Sequence, residues 1–228
     1  MTKANDRRAL SLSRMTNSIP SINTLLFDWD GTLNDSALAG FNAFQKSLDE
    51  LGVPFTQAFY EANYSPNWYT MYETLSLPRD QWQRADDLWI HHYGEAPTRL
   101  VAGAHSTVIE LQRRGYRLGI VTSGSHCRVS RELEEIGLAK VFRVVVCNEH
   151  IRNKKPHPEG LTEAMRLIVS EPAQCAYVGD APEDILMGKS AGVRTVAVRS
   201  TYPTSKHLPS AGPDICLDSI AELLLHFQ

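Results

Sequence analysis

Residues 25–36 read Leu25-Leu26-Phe27-Asp28-Trp29-Asp30-Gly31-Thr32-Leu33-Asn34-Asp35-Ser36, and the fold follows from how this stretch is parsed. A short apolar run delivers two carboxylates one residue apart, and a Gly-Thr pair then breaks it, the pattern of a strand ending in acid. Strand side chains alternate faces at a rise of about 3.3 Å, so Asp28 and Asp30 point the same way from Cα atoms less than about 7 Å apart. Both address one spot, and like charges that close repel unless a cation or ligand lies between them. An acidic loop after a strand is the alternative, because Asp-Gly is also a common turn signal. Trp29, between the acids, faces the other way and is expected to pack.

Outward from this stretch the chain changes character twice. Over 36–100 the strand pattern stops: Leu38, Phe41, Phe44, Leu48 and Leu51 recur at helical spacing, with further helices predicted over 56–63, 66–77 and 79–93. Asp35-Ser36 is placed to cap the first of them. Trp68, Tyr72 and Leu75 share one helical face, an aromatic stripe read as core rather than as a substrate box. From Val101 onward, helices predicted over 106–114, 126–136, 158–169, 182–191 and 219–227 alternate with strands over 116–121, 142–147, 175–178, 194–198 and 214–217. Such alternation implies a parallel sheet covered on both faces, with ligands at the carboxyl ends of its strands. Three polar motifs fall at those ends: Thr122-Ser123-Gly124-Ser125, Lys155-Pro156-His157-Pro158 and Gly179-Asp180-Ala181-Pro182-Glu183-Asp184.

Composition narrows the class. With 228 residues, 43% hydrophobic and 21% charged, the chain can bury one substantial core and a smaller second one. A net charge of -3 gives no basic excess for nucleic acid, and no apolar stretch approaches the roughly 20 residues that span a bilayer. Cys127, Cys147, Cys175 and Cys216 lack CxxC spacing and read as reduced structural thiols, all but Cys127 beside apolar runs. Residues 1–21 are polar, carry Arg7, Arg8 and Arg14, and lack the apolar core of a secretory signal. They are expected to be a weakly ordered tail on a cytoplasmic protein.

The DxDGT of Asp28 to Thr32, followed in order by the Thr122, Lys155-Pro156 and Gly179-Asp180 motifs, resembles the haloacid dehalogenase-like hydrolases. The likeness is to the phosphoglycolate phosphatase and β-phosphoglucomutase-like branch, whose helical insert is a C1 cap. It implies an α/β fold: a three-layer Rossmann-like parallel sheet core over 22–36 and 101–228, with an inserted α-helical cap over 37–100. It also implies that Asp28 is a nucleophile forming an aspartyl-phosphate and Asp30 a general acid and base. Thr122, Ser123, Gly124 and Lys155 would hold the transferring phosphoryl group. Asp28, the Asp30 carbonyl and Asp180 would ligate Mg²⁺, with Asp184 a further ligand or simply a complement to its helix N-terminus. Lys155 is preferred to Lys154 because it matches the KPxP pattern, and His126 and His157 are read as bystanders. An Asp at position 30 is kept by phosphatases and sugar phosphomutases of the family and not by its dehalogenases. The expected activity is Mg²⁺-dependent hydrolysis of a small phosphate monoester. A sugar phosphomutase and a non-catalytic domain binding phosphorylated ligands remain the alternatives.

Overall fold

The computed structural model describes residues 21–228, so the expected tail over 1–21 lies outside the described residues but for Ser21. Six strands form one sheet: β1 (Thr24–Phe27), β2 (Arg117–Val121), β3 (Val144–Val146), β4 (Cys175–Gly179), β5 (Arg194–Val198) and β6 (Ile215–Leu217). Their order is β3-β2-β1-β4-β5-β6, and every neighbouring pair is parallel. Strand β1 is central because Leu25, Leu26 and Phe27 have no polar face to offer water; all three are fully buried, each worth about 1.5–3 kcal/mol.

Alternation along β1 divides the core into two layers. Leu25 and Phe27 pack with residues of α5 (Ala104–Arg113), α6 (His126–Glu135) and α10 (Leu223–His226). Leu26 points to the opposite face, toward α7 (Glu159–Ile168) and Met187 of α8 (Pro182–Ala191). From β1 the chain builds outward through β2 and β3, then returns to lay β4, β5 and β6 on the other side. The direction of winding reverses between β1 and β4, and loops leaving such a switch point diverge to open a crevice at the carboxyl ends.

Between β1 and α5 the chain inserts four helices: α1 (Ala37–Glu50), α2 (Gln57–Asn63), α3 (Trp68–Thr74) and α4 (Trp82–Gly94). Helix α1 packs against α4, and the group has its own apolar cluster around Phe44, Tyr60, Met71, Tyr72, Leu77 and Ala85.

Local expectations fail where tertiary contacts intervene. Leu38 fits the helical repeat of α1 yet is 70% exposed. Ser36 occupies the N-cap position of α1, but its hydroxyl makes no cap; it bonds the Tyr202 hydroxyl at 3.0 Å. The strand over 142–147 contracts to β3. The helix over 219–227 becomes a 3-10 turn, Ile220–Glu222, followed by α10. Cys216, read as a structural thiol beside an apolar run, is exposed on the edge strand β6; Cys127 is exposed too. A 3-10 turn, Pro203–His207, and the short α9 (Leu208–Ala211) were not anticipated. Among the described residues no helix is long and apolar enough to cross a membrane.

Candidate active site

The crevice at the β1/β4 switch point opens into a cavity of about 720 Å³, whose floor carries the four motifs. Asp28 is the first residue beyond β1; its N–H still donates to Val178 of β4 at 2.8 Å, which holds the side chain in register with the neighbouring strand end. Asp180 follows β4 and faces it, accepting from the Thr32 hydroxyl at 3.1 Å. Gly31 permits this approach for two reasons. Its φ of +84° lies where side chains are strained, and a Cβ there would overlap the Asp180 carboxylate.

Lys155 reaches the floor from the loop before α7. Its ammonium bonds Asp28 at 2.5 Å and Asp184 at 2.7 Å, and lies 5.6 Å from the centre of the Tyr177 ring. The peptide bond joining it to Pro156 is cis. Lys154 turns away to cap the carbonyls of Asn148 and Ile151. Asp184 sits in the first turn of α8, where Oδ2 accepts from the N–H groups of Asp180 and Ala181. Its Oδ1 accepts from Lys155 and the Tyr177 hydroxyl. Asp184 thus complements the helix N-terminus, one of the two readings of this residue, and borders the acidic cluster with both oxygens already accepting hydrogen bonds.

Ligand oxygens of Asp28, Asp180 and Asp184 all lie within 4.8 Å of one another. Burial pushes Asp28 up to about 7 against the pull of Lys155, and the Asp184 charge adds to the push. Burial likewise lifts Asp180 well above the ordinary carboxylate range, reinforced by Asp28 and Asp184. One lysine among three buried acids leaves the cluster short of positive charge, and an all-oxygen donor set of this kind fits a hard divalent cation such as Mg²⁺.

Thr122 lies directly after β2 and is buried, its Oγ1 accepting from the Gly124 N–H at 3.0 Å. Ser123 and Gly124 join it on the cavity wall. Thr122, Ser123, Gly124, Lys155, Asp28, Asp30, Asp180 and Asp184 thus all line one space. His126 and His157 do not line the cavity: the His126 ring contacts the Ser130 hydroxyl at 3.4 Å, and the His157 ring accepts from the Glu159 N–H.

Sequence reasoning missed Arg128. From α6 its guanidinium makes two bonds to Asp30, at 3.0 and 2.5 Å, and lies 5.0 Å from the centre of the Tyr93 ring. Burial pushes Asp30 up, but Arg128 outweighs it and holds the carboxyl below its ordinary range. The same guanidinium contacts Glu132, which accepts the indole N–H of Trp29 at 2.7 Å. Trp29 is fully buried, as its facing predicted, and it anchors this ion network. Gly124 is small for a reason of space, since a Cβ there would collide with the Arg128 guanidinium. A signal existed: Arg128 and Glu132 stand four apart, each preceding an apolar residue of the buried face, Val129 and Leu133. Tyr202, also missed, follows β5 and stacks on Tyr64 of the insert at 5.0 Å, closing insert onto core. No local pattern marks it.

The comparisons agree with this geometry. Residues 25–198 match the model of the haloacid dehalogenase-like hydrolase family. Pyrophosphatase PpaX of Bacillus cereus is 31% identical, over 89% of this chain and 95% of that protein. Among solved structures, a predicted phosphoglycolate phosphatase from Haemophilus somnus 129pt superposes with a TM-score of 0.82 at 22% identity, over 92% of this chain and all of that one. CbbY from Rhodobacter sphaeroides, solved with phosphate, superposes with a TM-score of 0.74 at 25% identity, over 89% and 96% of the two chains. An α/β sheet of this order with helices inserted after β1, the matched family model and these relatives lead to one conclusion: the chain belongs to the haloacid dehalogenase-like hydrolases, as an enzyme of their phosphatase type.

Proposed function

We propose that the protein is a Mg²⁺-dependent phosphatase that hydrolyses a small phosphate monoester through an aspartyl-phosphate on Asp28. The observation that carries this reading is the contact of Lys155 with Asp28 inside a cluster of buried carboxylates at the β1/β4 switch point. A carboxylate needs no base to activate it and divides one displacement into two. An Asp28 oxygen attacks phosphorus, the bond to the ester oxygen breaks, and Asp30 in its acid form gives the departing oxygen a proton. Water then attacks the phosphorus, Asp30 takes the water proton, and the Asp28–phosphorus bond breaks to release phosphate.

The remaining groups manage charge. Lys155 offsets the negative charge shared by Asp28 and the phosphoryl group, while the Thr122 hydroxyl, into which the Gly124 N–H donates, and the Ser123 N–H receive its outer oxygens. Asp28, Asp180 and the Asp30 carbonyl would hold Mg²⁺, which when bound neutralises phosphoryl charge; Asp184 positions Lys155 beside them. Arg128 holds Asp30 toward its ionised form, the form the second step needs. The domain division at residues 37 and 100 belongs to the same proposal, with the insert acting as a cap that excludes water. Four free cysteines support the cytoplasmic setting.

A panel of phosphate esters assayed with and without Mg²⁺ tests the reading; steady release of inorganic phosphate is expected, and only with the ion. The name of the Bacillus relatives makes pyrophosphate the second substrate to include. Interconversion of sugar phosphates without phosphate release would transfer the assignment to a mutase.

A further inference from the structure

The cavity continues from Asp28 up among the inserted helices, walled there by Tyr60, Tyr64, Trp68, Tyr69, Tyr72 and Trp89. At about 720 Å³ it is in the range that encloses a drug-sized molecule, far more than a phosphoryl group requires. Asp86 of α4 lies in this aromatic wall. Its Oδ1 accepts from the Trp68 indole at 3.0 Å and the Tyr72 hydroxyl at 3.1 Å, and its Oδ2 accepts from the Tyr69 hydroxyl at 3.0 Å. Three neutral donors fix its direction without cancelling its charge, and a carboxylate with roughly four acceptor sites has room for one more partner. Burial lifts the Asp86 carboxyl, its three donors pull it back, and the charge of neighbouring Asp87 adds to the lift.

Charge on the rest of the wall sharpens the point. Among the described residues, Asp86 is the one charged side chain that the insert contributes to the lining. The two arginines that reach the cavity from the core are already paired, Arg128 with Asp30 and Glu132, and Arg131 with Glu135. An anionic leaving group would find no unpaired cation here. A substituted ammonium would find aromatic faces and an uncompensated carboxylate, the two features that attract organic cations out of water.

Building on the phosphatase reading above, we propose that the aromatic wall around Asp86 is a subsite for the positively charged nitrogen of the leaving alcohol, making the substrate an amino-alcohol phosphate. The ammonium would sit against the rings of Trp68 and Tyr69 with Asp86 as counter-charge, while the phosphoryl end reaches Asp28. Phosphoglycolate and pyrophosphate, whose leaving groups are anionic, would then be poor substrates.

The test measures phosphate release by the Mg²⁺-loaded full chain from p-nitrophenyl phosphate, phosphocholine, phosphoglycolate and the carbon isostere of phosphocholine, in which a tert-butyl group replaces the trimethylammonium. Phosphocholine is expected to exceed its isostere in kcat/KM by about tenfold, mostly through KM, with phosphoglycolate below both. In Asp86→Asn the ratio of the two isosteres should fall to within about threefold of one. A wild-type ratio near one, or a preference for phosphoglycolate, overturns the subsite, and this arm decides by itself should the variant misfold. Failure to hydrolyse p-nitrophenyl phosphate at all would instead remove the phosphatase reading, whereas its hydrolysis without discrimination by charge removes the subsite alone.

Discussion

The floor and the roof of the cavity are made of opposite materials. On the floor Asp28, Asp30, Asp180, Asp184, Lys155 and Arg128 are charged, mostly buried and bonded to one another across β1, β4, α6 and α8. The roof is aromatic, and its rings interlock by stacking: Trp89 on Tyr93 at 4.7 Å, Tyr69 on Trp82 at 5.0 Å. A charged floor suits a reacting group that is itself an anion and must be held identically in every turnover. An aromatic roof packs for stability and presents a shape to whatever is attached to that anion. Under the proposed function the chemistry belongs to the core and selection to the insert, a division that can be attacked from both sides.

The largest effect should come from the floor. Asp28→Asn keeps the shape and removes the nucleophile, so turnover should fall by about 10⁴-fold or more while thermal unfolding stays cooperative; undiminished activity excludes the residue. Chelation of divalent ions should abolish phosphate release, and added Mg²⁺ should restore it. Asp30→Asn should lower kcat by about 10²- to 10⁴-fold on alkyl esters. The loss should be smaller on p-nitrophenyl phosphate, whose leaving group needs no proton in the first step. An equal loss on both would deny Asp30 the role of acid.

Smaller effects should come from packing. Trp29→Phe leaves the buried Glu132 carboxylate without its indole donor, so urea denaturation should show about 1–3 kcal/mol less stability. On the roof, Trp68→Leu should raise KM by a few-fold with kcat nearly kept, because a cation–aromatic or stacking contact is worth about 1 kcal/mol. A kcat loss as deep as that of Asp30→Asn would erase the division between floor and roof.

The same division explains what was legible beforehand. The floor could be read because three of the four motifs directly follow an apolar run and the parallel sheet carries every strand end to one edge; position along the chain translates directly into position in space. Lys155 could be told from Lys154, and Trp29 could be turned inward, on local pattern alone. Arg128 escaped because its partner Asp30 is far away in sequence, and the small Gly124 that makes room for it also reads as an ordinary loop glycine. Tyr202 escaped because only the docking of Tyr64 gives it a purpose. The roof was half legible: Trp68 and Tyr72 were read as core, and Tyr72 is fully buried in the aromatic cluster, whereas Trp68 is only partly buried, and both border the cavity. Helix ends shifted where the chain turns back on the sheet, as at α10.

Covalent capture of the phosphoryl group is the most direct test of Asp28 as nucleophile. Enzyme mixed with a hydrolysable ester and Mg²⁺, quenched in acid during turnover and digested, should yield the peptide containing Asp28 heavier by one phosphoryl group, and Asp28→Asn should yield none. Product formation at full rate with that peptide unmodified at every quench time, or with the phosphoryl group on a different residue, would contradict it.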